Sequence, residues 1–255
     1  MISGLENETV IGALATYLVN CAAQTVSTNL AILSDLLGES EDAAEALRVE
    51  LGRLIGENNS ITEDFRQDHR DPWMAEGLAH LFLRIASSHP PLPPPGCLHA
   101  LTPVHDDVKE HGLDLVGIYT CTASGVLGLA VSESKASENN ATAHVASAAE
   151  LFRDVMDGRR DPHIRSKVQA LRHALPDTAQ VLITPAFWND ERCFSAYVAM
   201  SGSSGFDVNA ARPTYSQIQP RPTIIGLTLA NYRGFFDGLA DRMRQLVATS
   251  EVSSV

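Results

Sequence analysis

The sequence predicts an α/β protein, with a helical N-terminal subdomain over residues 1–70 and an α/β domain over residues 71–255. Three observations carry that expectation. Through the first 70 positions apolar residues recur at helical spacing, as in the stripe Ile11, Leu14, Ala15, Leu18 and Ala22. From residue 98 onward, short apolar runs read as strands and are separated by helical stretches. The chain closes on an amphipathic stretch, Asn231–Val247, with Phe235, Phe236, Leu239, Met243 and Leu246 on one side. A chain of 255 residues is long enough for a substantial core. Its composition, 44% apolar and 20% charged, is that of a globular protein.

Taken in order, the N-terminal apolar run Val10–Ala23 is interrupted by Thr16 and Asn20 and reads as a buried helix, too short to span a bilayer. A second helix is expected over Thr28–Leu37, stopping at Gly38. A third covers Glu41–Ile55, with Leu47, Leu51 and Leu54 inward and Gly56 as its C-cap. Ser60-Ile-Thr-Glu63 has the form of a capping box for a short fourth helix. Asp71-Pro72 predicts a fresh helix start, and the mostly apolar helix runs to Ser88 with Glu76 and His80 as polar exceptions one turn apart. His89-Pro-Pro-Leu-Pro-Pro-Pro95 must be an extended connector. Leu98–Val104 is expected to be a short first strand. Asp106 and Asp107 follow in a polar turn, where a solvated loop is the simpler reading and metal binding the other.

The next stretch carries the chemistry. His111–Tyr119 and Val126–Lys135 read as two strands of a hairpin. Side chains alternate faces along a strand, so Leu127, Leu129 and Val131 share a face with Glu133 and Lys135. An ionised group ending a core stripe is costly unless it is paired or bound to metal. The end of one hairpin strand neighbours the start of the other, which sets Asp114 beside Glu133 and Lys135. Two carboxylates and a lysine at one point form a hard oxygen site for Mg²⁺ or Mn²⁺. A metal there would polarise a phosphate and lower the pKa of a bound water. The plainer reading is a surface hairpin with an ordinary Glu–Lys pair.

Helices follow over Thr142–Met156, ended by Gly158, and over Pro162–Ala174. Arg159, Arg160, Arg165, Lys167 and Arg172 lie on or just before the second. They read either as a solvated face or as contacts to a DNA backbone, which depend on charge rather than sequence. Gln180–Thr184, Phe194–Met200 and Thr223–Leu229 are expected as further strands, with a long loop over Ser201–Gln219.

Asp114–x(18)–Glu133–x–Lys135 on a strand pair, within this order of elements from Pro72, resembles the PD-(D/E)XK nuclease superfamily. Gly112-Leu113 stands where the family's name has a proline. The resemblance covers residues 72–185, and the C-terminal strands and helix more loosely. More narrowly, the leading helical region, Trp73-Met-Ala-Glu76-Gly-Leu-Ala-His80-Leu, Gly112-Leu-Asp114, Glu133-Ser-Lys135 and the overall size are similar to the nuclease subunit of Hachiman-type anti-phage defence systems. The resemblance implies a restriction-endonuclease-like α-β-β-β-α-β core and metal-dependent cleavage of DNA. It implies Asp114 and Glu133 as metal ligands, and Glu76 as a ligand of a second metal or its water. The Ser134 carbonyl would complete the shell, and Lys135 would orient the attacking water. It also implies a superfamily 2 helicase as partner, restraining the nuclease until foreign DNA is sensed.

The net charge of −12 is unusual for an enzyme acting on nucleic acid, which ordinarily shows a basic footprint. Positive charge is local: residues 135–172 hold seven Lys/Arg against five Asp/Glu, while residues 1–71 are acidic. Dependence on a helicase for access to DNA would reconcile the charge with a nuclease. The competing class is a non-catalytic module, a degenerate nuclease fold or helical adaptor that binds a protein. Cys21, Cys97, Cys121 and Cys193 are scattered without zinc spacing, and the first residues lack a basic signal-peptide region. A reduced cytoplasmic protein with no membrane association is therefore expected.

Overall fold

In a computed structural model the chain is described over residues 1–37, 42–89, 91–105, 113–183, 186–188, 191–204, 206, 213 and 215–249. Among these residues the centre is a five-stranded mixed sheet in the order β1 (Gly96–Leu101), β2 (Leu115–Cys121), β3 (Leu127–Ser137), β4 (Arg192–Ser201) and β5 (Thr223–Leu229). The first three strands are antiparallel neighbours. β4 then runs parallel to β3, and β5 parallel to β4. The fold is therefore α/β, as expected.

Each face of the sheet is covered. On one side lie α1 (Glu8–Leu37), α2 (Ala43–Ile55), α4 (Asp71–Ile85) and the closing helix α8 (Tyr232–Ala248). Leu18, Leu51, Met74, Leu78, Tyr197, Leu227, Phe236 and Met243 share this core. On the other side α5 (Ala141–Met156) and α6 (Asp161–Arg172) bury Val145, Phe152, Ile164 and Val168 against Val116, Leu129, Val131 and Phe194. The N-terminal helices thus share one core with the sheet and α8. α1 and α4 approach closely at Gly77, where a Cβ would come 2.1 Å from Leu18 Cδ2.

Five local expectations are corrected. The two helices expected before Gly38 are one 30-residue helix, α1. The polar stretch between them does not break it, and the Thr25 and Thr28 hydroxyls bond back to the carbonyls of Cys21 and Gln24. Over Glu8–Ile32 that helix is long and apolar enough, by length and composition, to cross a bilayer, so the expectation that it is too short does not hold. The capping residue of α3 (Glu63–Phe65) is Thr62, whose Oγ1 accepts the Phe65 N–H at 3.2 Å, not Ser60. No strand forms at Gln180–Ile183: α7 (Asp177–Gln180) precedes a turn with Val181 70% and Leu182 54% exposed, and β4 holds the place beside β3. Thr184 lies outside the described residues, as do Gly38, Asp106 and Asp107.

The fifth correction concerns Asp71, which is not an N-cap. The chain is helical from Glu63 to Ile85 through a π turn at Arg66–Arg70. The Asp71 N–H bonds to the Arg66 carbonyl, five residues back. This wider turn makes room for Pro72, which lacks an N–H and whose ring would crowd a regular α-turn. Asp71 instead pairs with Arg70, Nε to Oδ1 at 2.8 Å.

His80 lies away from the carboxylates discussed below. Its Nδ1 is 2.6 Å from Tyr17 Oη on α1, and the phenol donates. Burial, then the nearby Arg84, pushes its pKa down to about 4. The native ring stays neutral while the unfolded chain takes up a proton near the ordinary value of about 6.5. His80 therefore costs stability as pH falls from about 6.5 to about 4, by up to roughly 3 kcal/mol. Asp71, raised by burial to about 6, acts in the opposite sense over part of that range. Comparison with His80→Gln isolates the histidine. The variant is expected to gain on the wild type by about that amount between pH 7 and pH 4 in urea denaturation. A pH-independent difference would show that His80 is not held neutral.

Candidate metal centre

The hairpin register brings the expected residues together. Leu115 pairs with Ser132, so the next position outward on the ladder sets Asp114 opposite Glu133. Directly opposed side chains in an antiparallel pair are close neighbours. The Asp114 carboxylate accepts the Ser134 backbone N–H at 2.6 Å. On β3 the Lys135 ammonium donates to Glu133 Oε1 at 2.6 Å. Glu133 Oε2 is buried and has no hydrogen-bond partner among the described residues, and the same holds for Ser134 Oγ.

Glu76 enters from α4, where it is buried. The sequence did not single out His105, which follows β1 and completes the cluster. Its backbone N–H donates to Glu76 Oε1 at 2.9 Å, and its Nδ1 lies 3.3 Å from Oε2. Trp73 Nε1 donates to the His105 carbonyl at 3.0 Å. Donor atoms of Glu76, His105 and Asp114 all lie within 4.8 Å of one another, close enough to hold a metal ion.

Electrostatics agree with a cation-seeking site. Burial, followed by the charges of Glu133 and Glu76, pushes the Asp114 carboxyl well above its usual value. Burial likewise raises Glu133, with Lys135 opposing it. For Lys135 burial works against the charge, but Glu133, Asp114 and Glu76 outweigh it and hold the ammonium above its ordinary value. Three crowded carboxylates and one orphaned carboxylate oxygen fit a divalent cation, with oxygen donors as the hard partners.

The basic set divides. Arg159 pairs with Asp154 and Asp157, and Arg160 lies 3.9 Å from Asp154. Arg165 and Arg172 are exposed seven residues apart on one face of α6, with Arg165 over the Trp188 ring at 5.0 Å. Lys167 points elsewhere: its Nζ is 2.8 Å from His105 Nε2, inside the cluster. The five do not form one stripe.

Fold and cluster together define an α/β protein with an acidic centre at one end of its sheet. No protein-family model matches the chain, and no curated protein matches it.

Proposed function

We propose that the chain is a metal-dependent DNA nuclease, the effector of an anti-phage defence system held in check by a helicase partner. The observation that carries this reading is the convergence of Glu76, Asp114 and Glu133 with Lys135 at one end of the sheet. The order α4-β1-β2-β3-α5, α6 and then β4 supports it, being the order expected of a restriction-endonuclease-like core.

Glu76, Asp114 and Glu133 would hold Mg²⁺ or Mn²⁺, with the Ser134 carbonyl as a further donor. When bound, the ion supplies Lewis-acid polarisation of the phosphodiester. Lys135 keeps its proton, so it is a hydrogen-bond donor rather than a base. It orients the attacking water and stabilises negative charge developing on the phosphate oxygens. Strand β3 fixes Glu133 and Lys135 on one face without a loop to order. Arg165 and Arg172 would meet the DNA backbone, and the overall acidity would keep unassisted DNA binding weak.

Plasmid cleavage with Mg²⁺ or Mn²⁺ tests the reading, alone and with a candidate helicase. Wild type is expected to cleave, and Glu133→Ala with Lys135→Ala to lose at least ~100-fold in rate. A helicase requirement would support the defence-complex reading. Intact plasmid under every condition, while the wild type still binds a partner, would replace it with the adaptor reading.

A further inference from the structure

Lys167 turns inward from the face of α6 that carries Arg165 and Arg172, and its contact with His105 has a chemical consequence. A lysine ammonium has three donors and no acceptor. At 2.8 Å it must therefore donate to His105 Nε2, and the neutral ring carries its proton on Nδ1. That N–H faces Glu76, at 3.2 Å from Oε1 and 3.3 Å from Oε2. The one basic lone pair of a neutral imidazole is thus spent on an ammonium, and its N–H on a carboxylate. The Trp73 bond to the His105 carbonyl and the His105 N–H bond to Glu76 fix the backbone beneath the ring.

We infer that Lys167 is a positioning residue that keeps His105 out of the coordination shell, leaving oxygen donors only and thereby setting which divalent ion the centre prefers. The inference rests on the metal-centre reading above. Oxygen donors suit Mg²⁺ and Mn²⁺, whereas an imidazole nitrogen shifts preference toward Zn²⁺. Without the ammonium, the ring is free to carry its proton on Nε2. The Nδ1 lone pair would then face Glu76, 3.2 Å from Oε1 and 3.3 Å from Oε2, in a group where one ligand atom each of His105, Glu76 and Asp114 lie within 4.8 Å of one another. Lys167 thus acts on the ion through the tautomer of its neighbour, as outer groups do at other metal sites.

Calorimetric titration of the full chain with Mg²⁺, Mn²⁺ and Zn²⁺ tests this without an activity assay. Lys167→Met is expected to raise the Zn²⁺-to-Mg²⁺ affinity ratio by about tenfold or more over wild type. Lys167→Arg retains a donor and is expected to keep the wild-type ratio. Adding His105→Gln to Lys167→Met is expected to erase the gain. An unchanged ratio in a folded Lys167→Met protein that still binds Mg²⁺ would overturn the inference and leave the metal centre standing. So would a gain that survives loss of the His105 ring. Wild-type protein that binds none of the three ions would overturn the metal-centre reading, and this inference with it.

Discussion

Asp114→Asn is expected to reduce metal-dependent cleavage at least ~100-fold at neutral pH while raising the melting temperature of the metal-free protein. The two effects share one cause. Burial, Glu133 and Glu76 all oppose a charge on Asp114, and only Lys135 and the Ser134 N–H favour it. A carboxyl raised in the folded state stabilises the fold at pH values below its unfolded pKa. That contribution is lost as pH rises through the folded value. At neutral pH the wild type therefore bears a cost that asparagine lacks, and asparagine still offers Ser134 an acceptor. The melting-temperature gap should close on acidification through the ordinary carboxylate range. Added Mg²⁺ reverses the ranking, because a ligand at 100 times its Kd stabilises the native state by about 2.7 kcal/mol. Thermal shift with and without Mg²⁺ reads both parts. A variant that is less stable without metal, or stabilised by metal as much as the wild type, would remove Asp114 from the centre.

Asp237→Ala is expected to cost about 3–5 kcal/mol of folding stability, the scale of a buried ion pair stripped of one partner. Asp237 on α8 accepts from Arg66 and, at 2.6 Å, from Arg70 Nη1. Arg70 is fully buried, and its Nη2 has no partner among the described residues. Removing Asp237 leaves Arg70 with Asp71 and a 3.4 Å contact to Asn59. Asp237→Asn keeps an acceptor and should cost less. Guanidinium unfolding gives the numbers. A loss below about 1 kcal/mol for the alanine variant would show that the network is not holding the π turn to α8.

What could be read in advance follows from how local its causes are. The hairpin was legible because alternation along β3 and the 18-residue spacing determine which residues oppose each other. Glu76 was visible as a polar break in an apolar helix. His105 was not, because its place depends on α4 and α6 meeting beyond the end of β1. Lys167 looked like its basic neighbours on the polar side of α6, and the partner across the cluster separates it from Arg165. Asp71-Pro72 bears the local marks of a helix start. The alternative, a π turn, is favoured by Asp237, which is 167 positions from Arg70. Val181-Leu182-Ile183 has strand composition, but the sheet has no vacancy for it beside β3.

The length of α1 has a mechanical meaning. At 1.5 Å per residue the helix is about 45 Å long. Beyond Val26 none of its described residues is fully buried, and Leu30 is the partly buried one that packs against the core. Its inner part bears on α4, with Leu18 seated in the notch at Gly77 and Tyr17 bonded to His80. Gly77 is the next residue after Glu76. A displacement of α1 would therefore act first on the helix that carries one of the carboxylates.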